Sequence, residues 1–339
     1  MKAGFLTGKL STKQVIQDAD SIFHNARWIS GVVYCPYCGE IHKIYQAKDG
    51  SYSYKCGKCN RRFTDRTKTL LHGSKLSTSI WMQGIYEVFT DNFIPSTQLA
   101  IKLHINQKSA WLLLSKLRYG LLQKDYTLRG IIAQDEMYLG GSLSNMHYGR
   151  KLELIKKYGL NYNYKPTDNP KVERKRKLRA IYQLNDKLKQ PVFAMNNGSQ
   201  IVMYATPNPI KQKHIMPIIQ KHVMGKDNLF VCDESGLYNR IPNKEVNNHR
   251  NNQYQTSNGL TSNPIENTFS WYKRGFNNLT HCQYHQLYLN EFVFRFNTRD
   301  LSHSDRFIEA LKYTIGKVVT YNDIKAYKEL SFKKVLRLA

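Results

Sequence analysis

The sequence predicts an α/β domain preceded by two small modules, and three observations lead there. From about residue 129 to 300, short apolar runs of strand character alternate with helix-like segments, which argues for a layered α/β fold rather than a helical bundle. Before that region, two Cys-x-x-Cys pairs fall within residues 31–65. Between the pairs and the α/β region, residues 76–128 carry helical periodicity. The organisation that follows is an N-terminal segment holding the cysteine pairs (1–75), a helical module (76–128), the α/β domain (129–300) and a basic C-terminal tail (301–339).

With 339 residues the chain has room for two or three domains and a sizeable core. Its net charge is +26. Such a balance points to a polyanionic partner, because neutralising phosphates releases condensed counterions and gives strong, salt-dependent affinity. An anionic membrane surface is the other partner that charge alone would fit. Against it, no apolar run approaches the ~20 residues of a spanning helix, and no lipidation pattern is present. The opening "MKAGFLTGKLSTKQ" lacks the apolar core of a signal peptide, so the chain reads as intracellular.

In that compartment paired cysteines argue for metal rather than disulfides. "CPYC" supplies Cys35 and Cys38, "CGKC" supplies Cys56 and Cys59, and seventeen residues (Gly39 to Lys55) separate them. The spacing fits a zinc ribbon, in which four thiolates converge tetrahedrally on one structural Zn²⁺ and each two-residue gap forms a tight knuckle. A redox-active pair is the weaker alternative. Gly39 and Gly57 stand where knuckles call for a permissive backbone. His42 lies between the pairs and is surplus to a complete four-cysteine set. Cys232, in the apolar run "LFVCD", reads as a buried, inert thiol.

In the helical module, "STQLAIKLHINQKSAWLLLSKLR" (96–118) splits into two short amphipathic segments. Leu99, Ala100 and Leu103 line the first; Ala110, Trp111, Leu114 and Leu117 line the second. "HIN" forms the turn, with Asn106 placed to cap the second helix. This is a helix-turn-helix pattern, and it puts Gln107, Lys108, Ser109 and Lys116 outside the apolar stripe, where a recognition helix meets DNA. An ordinary helical hairpin with a basic, solvated face has the same pattern. The preceding helix turns Trp81, Ile85, Val88 and Phe89 to the core.

In the α/β region, "GIIAQDEMYLGG" reads as a strand ending in a Gly-Gly turn, with further strands in "KLRAIYQL", "QIVMYAT" and "NLFVCDE". Residues 142–175 read as a basic loop or insertion. "IKQKHIMPIIQKHV" reads as a helix that Pro217 bends or shortens, and a largely helical pattern runs from Asn263 to about Phe296. Three carboxylates stand at element ends: Asp135, Asp233 and Glu266. Each alone has a plain reading. Asp135-Glu136 can be a solvated turn pair, Asp233-Glu234-Ser235-Gly236 a turn, and Glu266 the third residue of a capping box begun by Asn263 with Pro264 at the first helical position. Brought together they would repel one another unless a cation joined them, and two Mg²⁺ ions so held would clamp the attacking and leaving oxygens of a phosphodiester.

The ordered segments "TDRTKTLLHGSKLSTSIW", "DEMYLGG", "CDESGLY", "SNPIENTFSWYKRG" and "YLNEFVFRFNTR" resemble the bacterial insertion-sequence transposases that carry an N-terminal zinc ribbon and a ribonuclease-H-like DDE catalytic domain. The resemblance spans roughly residues 30 to 300. It implies a ribonuclease-H-like mixed sheet with flanking helices, and Asp135, Asp233 and Glu266 as a catalytic triad holding Mg²⁺ or Mn²⁺, with two ions expected. It also implies that Lys273, seven residues after the glutamate, grips the DNA backbone together with Arg274. The activity implied is that of a DNA transposase in the bacterial cytoplasm, at the nucleoid. It would bind the element's terminal inverted repeats, cleave a strand at each end and transfer the 3′-OH into target DNA. Its partner is double-stranded DNA, and joining two ends implies a homodimer or larger synaptic assembly. The sequence departs from the family at Thr261, where the pattern carries a histidine; His249, in "NNHRNNQY", matches another family histidine. Two alternatives stay open: a non-catalytic DNA-binding regulator built on the ribbon and the helix-turn-helix, and a recombinase using a Tyr or Ser nucleophile, which the 23 tyrosines do not exclude.

Overall fold

Apolar spacing and capping residues set the helices of the chain, and strand pairing completes two compact units. In the computed structural model one unit comprises residues 1–123, 290–330 and 338–339, and the other 124–289 with 331–337. The structure describes residues 10–90, 93–123, 126–140, 189–225, 227–247, 255–256, 258–276, 284–327 and 332–338, together with 147, 149, 153, 169, 171 and 172. The basic loop expected over 142–175, the strand expected in "KLRAIYQL" and His249 lie outside the described residues, apart from those isolated positions.

In the first unit, α1 (Thr12–Gln17) opens on a capping box between Ser11 and Gln14, and α2 (Ala19–Arg27) follows it. Strands β1 (Ile44–Gln46), β2 (Ser53–Cys56) and β3 (Arg62–Thr64) form an antiparallel sheet. Just after β3, the buried Asp65 carboxylate takes hydrogen bonds from Trp28 Nε1 (2.7 Å) and His24 Nδ1 (2.8 Å), tying the strand end to α2 and the residue that follows it. Helix α3 (Thr78–Thr90) buries Trp81, Ile85, Val88 and Phe89, the face its periodicity predicts.

Helices α4 (Ser96–Leu103) and α5 (Gln107–Gly120) are joined by the three residues read as a turn. His104 makes it by adopting the left-handed conformation (φ 52°), and Asn106 caps α5 by accepting the Ser109 N–H at 2.8 Å. Lys116 departs from its expected place on the exposed face. The second half of α5 is enclosed on more than one side, and Lys116 is buried with Nζ donating to the Leu70 carbonyl. Arg118, two residues on, is buried as well. Its Nε donates to Glu291 Oε2 at 2.7 Å, and Arg295 meets the other oxygen at 2.9 Å. Glu291 and Arg295 belong to α8 (His285–Asn297), which is in this unit from Asn290 onward. The tail holds α9 (His303–Lys312), α10 (Tyr321–Tyr327) and α11 (Phe332–Leu338), which periodicity does not reveal.

The second unit is built on a five-stranded sheet in the order β6–β5–β4–β7–β8. The strands are β4 (Ile131–Leu139), β5 (Gln190–Asn196), β6 (Ile201–Ala205), β7 (Leu229–Asp233) and β8 (Lys244–Asn247). β4, β5 and β6 pair antiparallel, whereas β7 runs parallel to β4, and β8 runs parallel to β7. β5 is buried almost throughout, so it shows no alternation and the sequence reading passes over it. Its turn into β6 is Gly198-Ser199, a two-residue hairpin loop closed by Asn197 N–H to the Gln200 carbonyl, with Gly198 at φ 88°. Helix α6 (Gln212–His222) continues through Pro217, and α7 (Asn263–Gly275) lies against β4 and β5. No described helix is long and apolar enough to cross a membrane.

Burial alone would raise the Glu291 carboxyl, but Arg118 and Arg295 hold it below the usual range. This group therefore stabilises the fold above the unfolded carboxylate range and stops doing so as the pH falls through its folded value. We expect Glu291→Ala to cost about 3–5 kcal/mol in urea unfolding, because two guanidinium groups lose their buried partner. Joining it with Arg118→Met should cost less than Glu291→Ala alone.

Candidate metal centres

The four cysteines come together as the spacing predicts. Cys35 and Cys59 place their sulfurs 3.6 Å apart, Cys38 and Cys56 3.7 Å apart, and all four lie within 4.8 Å of one another. A ZnS4 tetrahedron with Zn–S near 2.3 Å has S···S edges of roughly 3.8 Å, so the donor set fits that ion in both chemistry and size. Each knuckle closes by a backbone bond to its first cysteine, Gly39 N–H to the Cys35 carbonyl and Asn60 N–H to the Cys56 carbonyl, both 2.9 Å. The left-handed residues are Gly39 (φ 75°) and Asn60 (φ 62°) rather than Gly57. Gly57 is needed for space, since a Cβ there would stand 2.9 Å from the Tyr45 ring. Backbone N–H groups, that of Cys59 foremost, draw the Cys56 thiol down to about 7, toward the thiolate that a metal requires.

The second candidate centre is the carboxylate set. Asp135 stands at the middle of β4 rather than at the strand end expected of it, because the strand continues to Leu139 paired with β5. Asp233 ends β7, and Glu266 stands in the first turn of α7. Parallel pairing matches Ala133 with Val231, and continuing that register by two residues sets Asp135 level with Asp233. Helix α7 is held to the same sheet by Asn196, whose Nδ2 donates to the Pro264 carbonyl (3.1 Å) and Thr268 Oγ1 (2.9 Å). The Asp135 carboxyl is raised to about 7, chiefly by burial; the Glu136 N–H opposes the rise, and the charges of Glu136, Asp233 and Glu266 add to it. Among the described residues, the carboxylates do not close up within 4.8 Å as the thiolates do. Oxygen donors of this kind suit a hard cation such as Mg²⁺ or Mn²⁺ rather than the softer ion of the ribbon.

The capping box expected at Glu266 is not formed. Helix α7 begins one residue earlier, with Ser262 at its N-cap, and Asn263 is already helical. Glu266 thus falls at the fourth helical position, too far along to reach back to the cap N–H. Its Oε1 accepts the Ser262 hydroxyl at 2.7 Å instead. Glu266 is exposed, and so are Lys273 and Arg274 on later turns, while Ile265, Thr268, Phe269 and Tyr272 face the protein. On α5, Gln107 and Lys108 are exposed and Ser109 is half-buried; Lys116 is withdrawn as described.

Two residues the sequence reading passes over complete this neighbourhood. Tyr238, in the short helical turn after β7, is buried and donates its hydroxyl to Glu136. That bond links the middle of β4 to the chain just beyond Asp233. Burial raises Glu136 as well, with the charge of Asp233 adding to the effect. The other residue is Asn247, the last of β8, in register with Asp233. Cys232 is buried and its thiol is pushed up to about 11 by that burial, as an inert cysteine should be.

Residues 127–297 match the family model for the ISXO2-like transposase domain, half of the chain and nearly the whole second unit. A comparison with curated proteins and one with solved structures gave no match.

Because Asp135 has a raised folded pKa, it favours the cation-free fold at low pH, and this contribution fades as the pH rises from the unfolded carboxylate range toward 7. Without added divalent cation, Asp135→Asn should melt about 2–4 °C above the parent at pH 8. At pH 5, where the folded carboxyl is protonated but the unfolded one is still largely ionised, the gap should narrow; calorimetry at the two pH values checks it. Zinc analysis should give one ion per chain, and Cys56→Ser should lose that zinc together with the amide protection of β2.

Proposed function

We propose a reaction for a chain that belongs to the ISXO2-like transposase family: it cleaves a DNA strand at each end of an insertion sequence and joins the freed 3′-OH to target DNA. The domain that carries this chemistry is read as ribonuclease-H-like, a reading supported by its mixed five-stranded sheet with helix α7 packed on it. The observation that carries the proposal is the family match over residues 127–297, within which Asp135 and Asp233 stand on neighbouring parallel strands and Glu266 in the first turn of the helix packed on that sheet. Carboxylates so gathered repel one another, which is useful at a site meant for cations.

In this reading Asp135, Asp233 and Glu266 hold the divalent ions. When bound, Mg²⁺ or Mn²⁺ would lower the pKa of an attacking hydroxyl and neutralise charge gathering on the phosphate. Water first attacks the phosphodiester at the element end, and the 3′-oxygen leaves. That 3′-OH then attacks a target phosphodiester in line, its proton going to solvent and the target strand's own 3′-oxygen leaving as a new 3′-OH, without a covalent protein–DNA intermediate. Lys273 and Arg274, exposed on α7 beyond Glu266, bind phosphates and orient the strand. The zinc ribbon and the helix-turn-helix of α4 and α5 hold the terminal inverted repeats, with Gln107, Lys108 and Ser109 toward the DNA. Lys116 has no part in this, since its Nζ serves the Leu70 carbonyl. Joining two ends at one target calls for two or more copies of the chain.

Glu266→Gln tests the assignment. With labelled end DNA and Mg²⁺, the variant should fold and bind DNA like the parent while strand cleavage falls by at least ~1,000-fold, a loss of the order met when one preorganised electrostatic group is removed. Cleavage at the parental rate would contradict it. Lys273→Ala should weaken DNA binding across sequences and flatten the dependence of log K on log salt by about 0.9.

A further inference from the structure

Asn247 is fully buried, and neither its Nδ2 nor its Oδ1 has a hydrogen-bond partner. Folding strips water from this amide and returns nothing for it, although an apolar side chain of similar shape would fill the position at no such cost. The sheet shows what the amide is near. Asn247 pairs with Asp233 in the parallel β7–β8 register, and Asp135 is level with Asp233 on the other side. Strand alternation sends all three side chains to one face. That face is the one α7 covers, because Asn196, in register with Ala133, bonds α7 from it.

We propose that Asn247 is a positioning residue of the carboxylate site: when a divalent cation binds, its Nδ2, unpaired in the cation-free fold, donates to one Asp233 oxygen so that the other is presented to the ion. The inference rests on the reading above that Asp233 binds the ion. Held this way, the carboxylate loses the freedom to swing and is oriented by its neighbour, as metal-bound carboxylates generally are. Asn247 touches neither DNA nor the reacting atoms in this role. It acts through Asp233.

The test uses the full-length, zinc-loaded protein and Mn²⁺ as the probe. Melting temperature is measured without Mn²⁺, and Mn²⁺ affinity by calorimetry and by the electron paramagnetic resonance signal of the bound ion. Asn247→Leu should melt at or above the parental temperature, because an unpaired buried amide is gone, yet bind Mn²⁺ 10- to 100-fold more weakly. Asn247→Ser keeps a donor and should stay within a few-fold of the parent; it decides the matter if the leucine variant does not fold. Parental Mn²⁺ affinity in Asn247→Leu, or a loss in Asn247→Ser as deep as in Asn247→Leu, would overturn the proposal. Asp233→Asn separates the two readings. If it abolishes Mn²⁺ binding while Asn247→Leu does not, only the role of Asn247 fails; if it binds Mn²⁺ like the parent, the carboxylate site itself fails.

Discussion

Parallel pairing of β4 with β7, continued by two residues, sets Asp135 level with Asp233, and the rest of the second unit is arranged around the repulsion between them. Two carboxylates on neighbouring strands, with a third on the helix packed against the sheet, oppose their own assembly. The fold answers by over-determining the elements that carry them. Asp135 is flanked by a strand buried along most of its length, with β5 on one side and β7 on the other. Helix α7 is fastened by the Asn196 amide to two groups of its first turns, a short distance from Glu266. Tyr238 ties Glu136 to the chain that follows Asp233. The cost is concentrated in a few groups, the raised Asp135 carboxyl and the idle Asn247 amide, and a cation would relieve the first directly.

The first unit solves a different problem with a similar device. Its three short strands enclose too little apolar surface to fold alone, and four thiolates at tetrahedral spacing provide the missing cross-link. Polar groups are paired inside this unit rather than excluded. Asp65 joins the strand end to Trp28 and His24, and Glu291 sits between two arginines. The net charge of +26 favours a polyanionic partner.

Much of this was legible in the residues. The ribbon followed from spacing alone, the α4–α5 turn from Asn106, and the end of β7 at Asp233 from an apolar run bounded by turn residues; the strand end expected at Asp135 was wrong, since β4 runs on to Leu139. What was hidden has physical causes. β5 is buried on both faces and carries no period, and the Gly198-Ser199 turn that ends it was passed over. β8 is four residues long with two charges, too short and too polar to stand out. Lys116 follows a helix period that is read as exposure, whereas tertiary enclosure of α5 decided its fate. The start of α7 was misplaced by one residue because Asn263 and Ser262 both make good caps, and that single step removes Glu266 from a capping box. Asn247 had no signal in sequence at all; its significance lies in pairing with Asp233.

The central claim is that three carboxylates of this unit act as one metal-dependent site for phosphoryl transfer on DNA. Incubating the full-length protein with labelled element-end DNA, target DNA and Mg²⁺ tests it most directly. The account predicts end cleavage followed by a joined product, complete loss of both when Mg²⁺ is withheld, and no DNA covalently attached to protein at any time. A covalent protein–DNA adduct that forms without divalent cation, or binding to the ends with no cleavage in Mg²⁺ or Mn²⁺, would contradict it.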